Sequence, residues 1–213
     1  VDNFFNKWLA DLKVEQRSDG RVPRVIPDTY CAGDYRTAAT GWADASTIVP
    51  WNHYMAYGHI QILEQQYDSM KGWVDYMVSQ SKERGWLWNN GSHYGDWLFY
   101  SLSNDPGGRS AVTSSHLVAQ CFFAHSADIV CRTAKLLGKQ TDADYYADVA
   151  SKVRKAYMDE YVTPNGLISS DTQTAYVLAL EFQMLPEHLR EQALDRLVEN
   201  IKRYDNHITT GFL

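Results

Sequence analysis

The sequence predicts an all-α fold built of antiparallel helical hairpins. Three observations lead there. Apolar residues recur at helical spacing along most of the 213 residues, strand-like alternation is almost absent, and Gly or Pro closes one periodic run after another.

The elements follow in order. Phe4, Phe5, Trp8, Leu9 and Leu12 share one face of a first helix, which stops near Asp19-Gly20. Residues 21–43 hold two Pro and two Gly with no period, and read as a long irregular loop. A second helix is expected over 45–57, stopped by Gly58. A third carries Leu63, Tyr67, Met70, Val74 and Met77 on one stripe and ends at Gly85. Residues 86–110 form another irregular stretch, with Asp105-Pro106-Gly107-Gly108 at its far end. A long apolar helix then spans 113–137 and closes at Gly138. Thr141 is placed to cap the next, which buries Tyr145, Val149, Val153 and Ala156. After the Asn165-Gly166 turn, two more helices cover 172–184 and 186–204, with Pro186 at a first helical position. Residues 207–211 are loop-like. Helix pairs of this kind can close into a toroid, and six hairpins of about 30 residues or more exceed this length. The chain would then supply part of one ring, truncated at both ends.

Composition removes several function classes. A net charge of -6 is the wrong sign for a phosphate-neutralising, nucleic-acid-binding surface. No apolar run is long enough to insert into a membrane as a helix, and the compartment stays open between cytoplasmic and exported. Three cysteines, Cys31, Cys121 and Cys131, cannot form a complete disulfide framework. Cys121, His125 and Cys131 sit in an otherwise apolar stretch with no CxxC pair, so burial is expected there and no metal site. No G-x-S-x-G elbow is present, Gly107-Gly108 lacks a strand for a phosphate loop, and no Ser, His and Asp spacing marks a triad. No cofactor is called for.

The informative excess is aromatic: 14 Tyr, 7 Trp and 7 Phe. Most belong in a helical core. The two long loops carry the exceptions. The first ends Gly41-Trp42-Ala43-Asp44 and leads into Pro50-Trp51, and the second contains His93-Tyr94-Gly95-Asp96-Trp97. An indole face packs on the C–H surface of a pyranose while a carboxylate accepts hydrogen bonds from its hydroxyls. The competing reading makes both tryptophans loop anchors and Asp44 the N-cap of the second helix. Thr172-Gln173-Thr174 reads as simple capping.

These motifs carry a resemblance. Phe4-Phe5 with Lys7-Trp8-Leu9, then Asp19-Gly20, Val22-Pro23 and Ile26-Pro27-Asp28, open an ordered series. It continues through Gly41-Trp42-Ala43-Asp44-Ala45, Ile48-Val49-Pro50-Trp51, Tyr67 with Met70-Lys71 and Trp73-Val74, and Tyr94-Gly95-Asp96-Trp97-Leu98. Thr172-Gln173-Thr174-Ala175 and the stretch from His207 to Leu213 complete it. Along its whole length the chain resembles bacterial α-L-rhamnosidases of glycoside hydrolase family 78.

The resemblance implies an incomplete (α/α)6 toroid and hydrolysis of terminal α-L-rhamnosyl groups with inversion, from rhamnose-containing glycosides or polysaccharides. Inversion needs one carboxylic acid and one carboxylate base. The family's acid belongs upstream of the first helix and its base downstream of Leu213. No catalytic residue is therefore expected within this chain, which would be inactive alone. What the resemblance assigns here is a sugar-pocket wall: Trp42, Asp44, Asp96 and Trp97, with Trp51 and His93. Other readings stay open. One is a different toroid glycosidase or a lyase using Asp44 and Asp96, another a non-catalytic carbohydrate-binding module, and a third a helical interaction scaffold. An incomplete ring would also leave apolar helix faces exposed, and self-association is expected through them.

Overall fold

The computed structural model describes residues 2–29, 38–101 and 111–213. Among these residues there are seven α-helices and no strand, apart from an isolated bridge between Val162 and Ile168. The helices are α1 (Asp2–Glu15), α2 (Ala45–Tyr57), α3 (Gln61–Ser81), α4 (Ser115–Leu136), α5 (Gln140–Tyr161), α6 (Gln173–Glu181) and α7 (Glu187–Arg203). Cys31 and the Asp105-Pro106-Gly107-Gly108 segment lie outside the described residues.

The helices form two rows. α2, α4 and α6 pack side by side, and α1, α3, α5 and α7 flank them, so α4 touches α2, α3, α5 and α6. Composition explains the sorting. α6 has one ionisable carboxylate, Glu181, and α2 has no acidic or basic residue besides His53, which suits helices covered on several sides. α7 is charged on its outward face and buries only Leu189, Ala193 and Asn200. The core is one continuous cluster with Trp73, Trp88, Phe123, Tyr146 and Tyr157 among its largest fully buried side chains.

α2 and the stripe on α3 lie where the periodicity places them, and Leu63, Tyr67, Met70, Val74 and Met77 are all buried. Three details differ. α5 begins at Gln140 after Lys139 with no side-chain cap, so Thr141 lies inside the helix. On its buried face Val149, Val153 and Ala156 lie as expected, but Tyr146 takes the place expected of Tyr145, which is 44% exposed. Ala143, Tyr146, Val149, Ala150, Val153 and Tyr157 share that face at helical spacing, which leaves Tyr145 outside it. Pro186 precedes α7 rather than opening it.

Cys121 and Cys131 are buried free thiols. Cys121 contacts the Tyr157 hydroxyl, and burial pushes its thiol up. His125 stacks flat on Phe182 at 3.9 Å, and burial holds its imidazole down at about 4. These are packing roles.

Candidate sugar-facing site

The loops entering α2, α4 and α6 converge on one end of the molecule. The start of α4 lies beside the start of α6: Thr113 Oγ1 is 2.7 Å from Thr172 Oγ1, and the Ser114 N–H donates to Ser170 Oγ at 3.1 Å. Thr172 caps α6 by accepting from the Ala175 N–H, as its position suggests. Its neighbours do something else. The Gln173 side chain donates to the His207 carbonyl at 3.0 Å and accepts the Thr209 N–H at 3.1 Å, which clasps the segment leaving α7. Sequence reading missed this because the partners are more than thirty residues away.

The first loop turns on Asp44. This residue occupies the N-cap position of α2 but makes no side-chain cap there. Its carboxyl points inward instead. Oδ1 accepts from Trp73 Nε1 at 2.8 Å and Ser126 Oγ at 2.6 Å, and Oδ2 accepts the Gly41 N–H at 2.8 Å. Asp44 is 0% exposed, and desolvation raises its pKa despite these three donors. Three helices and the loop are tied to one carboxyl group.

The second loop is anchored twice. Gln120, fully buried on α4, accepts the Trp88 N–H and donates to the Trp86 carbonyl, fixing the loop's start. Asp96, 3% exposed, fixes its far end: Oδ2 accepts from Thr174 Oγ1 on α6, and Oδ1 accepts the Gly211 N–H at 2.8 Å. Phe212 N–H then donates to the Trp97 carbonyl at 2.7 Å, so residues 209–212 run alongside the loop. Both loop carboxyls thus have each oxygen taken by a protein donor.

What faces outward is aromatic. Trp97 is 48% exposed and meets Tyr94 edge to face at 5.2 Å. Tyr94 leans on Trp42 at 4.7 Å, and Trp42 stacks on Phe212 at 5.4 Å with 26° between the planes. The Arg24 guanidinium covers the Tyr94 ring at 4.5 Å and donates to its hydroxyl at 2.7 Å. The result is a chain of rings, Trp97–Tyr94–Trp42–Phe212, contributed by three separate loops. Trp42 is the half-buried middle of the row, while Trp97 and the 67% exposed Phe212 present free surface. Tyr94 and Phe212 went unassigned in the sequence reading. Tyr94's place two residues before Asp96 was the available signal.

His93 lies beneath this row. Burial lowers its pKa to about 4, so the ring is neutral. Its Nδ1 receives the Thr40 N–H at 3.3 Å and lies 2.8 Å from Thr40 Oγ1, and its Nε2 is 3.0 Å from the Asn90 carbonyl. A carbonyl only accepts and an amide N–H only donates, so Nε2 carries the proton and the Thr40 hydroxyl donates to Nδ1. Trp51 lies apart, on α2. Its ring contacts Tyr54 at 5.9 Å and the Arg132 guanidinium at 5.5 Å, in a groove of about 390 Å³ that also includes Asn52, His125 and Phe182. Of the six residues singled out, the structure therefore brings Trp42 and Trp97 into the outward row. Asp44, His93 and Asp96 sit behind it, and Trp51 lies in a different groove.

No helix among the described residues is long and apolar enough to cross a membrane.

The chain matches the model of the bacterial α-L-rhamnosidase six-hairpin glycosidase domain over residues 1–213. It is 40% identical over 210 residues to an α-L-rhamnosidase of Streptomyces avermitilis, covering 99% of this chain and 19% of that protein. It is 36% identical over 215 residues to an α-L-rhamnosidase of Formosa agariphila, covering 100% of this chain and 22% of that one. The chain thus spans about a fifth of the length of the curated relatives it matches. Among solved structures, the Streptomyces avermitilis α-L-rhamnosidase complexed with L-rhamnose superposes with a TM-score of 0.86 at 40% identity, covering 99% of this chain and 19% of that one. An α-L-rhamnosidase from Aspergillus terreus does so with 0.87 at 30% identity, covering 99% and 24%.

Proposed function

Because the chain belongs to the bacterial α-L-rhamnosidase six-hairpin glycosidase family, we propose that it forms the sugar-facing wall of an enzyme that hydrolyses terminal α-L-rhamnosyl groups. The observation that carries this reading is the outward row of rings, with Trp97 open to solvent at the end where α2, α4 and α6 begin. A deoxy-sugar such as rhamnose carries a methyl group and C–H faces that suit such a surface better than carboxylates. The relative solved with L-rhamnose shares this fold along nearly the whole chain, which supports rhamnose as the sugar.

In this proposal the full-length enzyme inverts configuration. One carboxylic acid protonates the leaving oxygen and a second carboxylate activates water on the opposite face of the ring. Both belong to segments outside residues 1–213, by the family resemblance. The chain's own residues bind and orient: Trp97 and Phe212 pack on the sugar, Trp42 and Tyr94 hold those rings in place, and Asp44, Asp96 and His93 fix the loops from behind. Trp51 is left as a weaker contact.

The competing assignment makes Asp44 and Asp96 the acid and base. Their hydrogen bonding argues against it, because neither carboxyl has an oxygen free of protein donors to offer a glycosidic oxygen or a water. The experiment is turnover of an aryl α-L-rhamnoside, with the anomer of the released sugar read by NMR. The full-length enzyme releases inverted rhamnose and the 213-residue chain alone releases none. Turnover by the chain alone would return Asp44 and Asp96 to the catalytic role, and retained configuration would sink the inverting mechanism.

A further inference from the structure

Two of the three loops that supply the ring row lie far apart in sequence. They are joined by the Arg24 guanidinium, which donates to the Tyr94 hydroxyl and the Ser92 carbonyl, and, closer to Trp42, by His93. Thr40 and Trp42 lie on the loop before α2; Tyr94 and Trp97 lie on the loop before α4. His93 bridges the two. It receives two hydrogen bonds from Thr40, through the backbone N–H and the hydroxyl, and returns one to the Asn90 carbonyl of its own loop. The imidazole is also held from below, edge to face on Trp88 at 4.5 Å, with the His116 ring 6.0 Å away. Trp88 in turn packs on Trp73, whose indole N–H is bound to Asp44. The bridge therefore stands on a rigid stack that reaches back to the anchor of the first loop.

We infer that His93 is a positioning residue whose bond to Thr40 holds Trp42 against Tyr94, setting the spacing of the rings that receive the sugar. The residue after His93 is Tyr94 and the second residue after Thr40 is Trp42, so the bridge sits within two residues of each ring it aligns. The ring pair closes at 4.7 Å. Without the bridge, the Arg24 contacts still hold Tyr94 and Ser92, but the backbone next to Trp42 loses its hydrogen-bonded tie to the second loop, which loosens the spacing of Trp42 against Tyr94. The role requires a neutral ring with a bare Nδ1, the state that burial imposes. This inference deepens the proposed rhamnoside binding and rests on it for the sugar, but the bridge itself can be tested without sugar.

Two near-isosteres separate the halves of the bridge. In His93→Asn the amide oxygen falls near Nδ1 and can accept from Thr40, whereas in His93→Gln the amide nitrogen falls near Nε2 and can donate only to Asn90. In the full-length protein, L-rhamnose affinity by calorimetry is expected within about threefold of the parent for His93→Asn. It falls about tenfold for His93→Gln and His93→Ala, the loss of one buried hydrogen bond. Hydrogen exchange at the Thr40 amide, measured without sugar, stays slow in the parent and in His93→Asn and accelerates in the other two. The reverse order, Gln sparing and Asn not, would make His93 a local brace of its own loop and overturn the inference. So would unchanged affinity and exchange in all three variants, or loss of cooperative folding in all three. If the parent binds no L-rhamnose while the Thr40 exchange pattern holds, the sugar assignment fails and the bridge stands.

Discussion

Asp96 Oδ1 accepts the backbone N–H of Gly211 at 2.8 Å across 115 residues of sequence, closing the loop before α4 onto the segment that leaves α7. The approach is so tight that only glycine fits. A Cβ on Gly211 would lie 2.2 Å from the Trp97 carbonyl oxygen and 2.7 Å from the Phe99 nitrogen. Both are backbone atoms and cannot swing aside. Gly211→Ala is therefore expected to cost about 1–3 kcal/mol of stability and to weaken L-rhamnose binding by displacing Trp97. A crystal structure of the variant with residues 95–99 unmoved would refute the coupling.

Trp97 behaves differently, because it contributes surface rather than support. It is half exposed and its aromatic contact among the described residues is the edge of Tyr94. Trp97→Ala should lower rhamnose affinity about tenfold while the melting temperature barely changes. An equal loss of both quantities would show the ring to be part of the core.

Asp44 should show the opposite pattern. Removing its carboxyl leaves the Trp73 indole N–H, the Ser126 hydroxyl and the Gly41 N–H with their acceptor gone, in a place water does not reach. Asp44→Ala is expected to cost about 3–5 kcal/mol. Denaturant unfolding measures this directly, and a loss of turnover with unchanged stability would contradict the role.

The histidines give stability a pH dependence with a definite sign. His93 and His125 each fall from the usual 6.5 to about 4 on folding, chiefly by burial, with His116 and Arg24 adding for the first and Arg132 and Arg154 for the second. The hydrogen bond to the Asn90 carbonyl opposes the shift at His93, and Asp128 opposes it at His125. Between pH 6.5 and 4 the unfolded chain holds protons that the folded chain lacks, so stability falls as pH falls through that window and this contribution levels off below it. Asp44, raised by burial, works in the other direction above its usual value, so the comparison is made against a variant. Urea midpoints from pH 7 to 4 should fall less steeply in His93→Asn than in the parent. Parallel slopes would mean that His93 is not neutral in the folded state for the reason given.

The flanks of the two rows carry exposed apolar residues. Phe4, Met55 and Tyr57 are exposed on α1 and α2, as are Leu194 and Val198 on α7, and an apolar groove of about 280 Å³ runs between Phe5, Val49, Ala56 and Tyr57. The 213-residue chain by itself should associate, with a sedimentation coefficient that rises with concentration. A concentration-independent monomer would count against these flanks as contact surfaces.

Most of the helical frame was legible in the sequence, since α2 and α3 announce themselves by apolar spacing and α2 by the Gly58 at its end, although α3 stops at Ser81 and a short 3-10 turn intervenes before Gly85. The loops were legible as loops, and Gly–Trp–Asp as something to explain. The direction of each side chain was not. Asp44 and Asp96 read as sugar ligands because both accompany a tryptophan, yet both turn inward. Apart from the nearby Gly41 N–H, the groups that hold them, Trp73, Ser126, Thr174 and Gly211, lie 29 to 115 residues away and no local pattern announces them. Tyr145 and Tyr146 pose the same problem on a smaller scale, because they lie four and three residues before the buried Val149 and only packing decides which one goes under.

The Gln173 clasp has a practical consequence for anyone recombining such enzymes. Both ends of one amide are committed to the chain at His207 and Thr209, so α6 fixes where this segment starts while the loop before α4 fixes Gly211 and Phe212 at its far end. A chimera that imports a foreign loop before α4 but keeps its native α6 inherits a terminal segment cut for the old loop, with Phe212 offered at the wrong height. Swapping sugar preference between relatives should therefore succeed only when three stretches travel as one cassette: the turn around Trp42, the Tyr94–Trp97 loop, and the α6 start together with the strand of chain it grips.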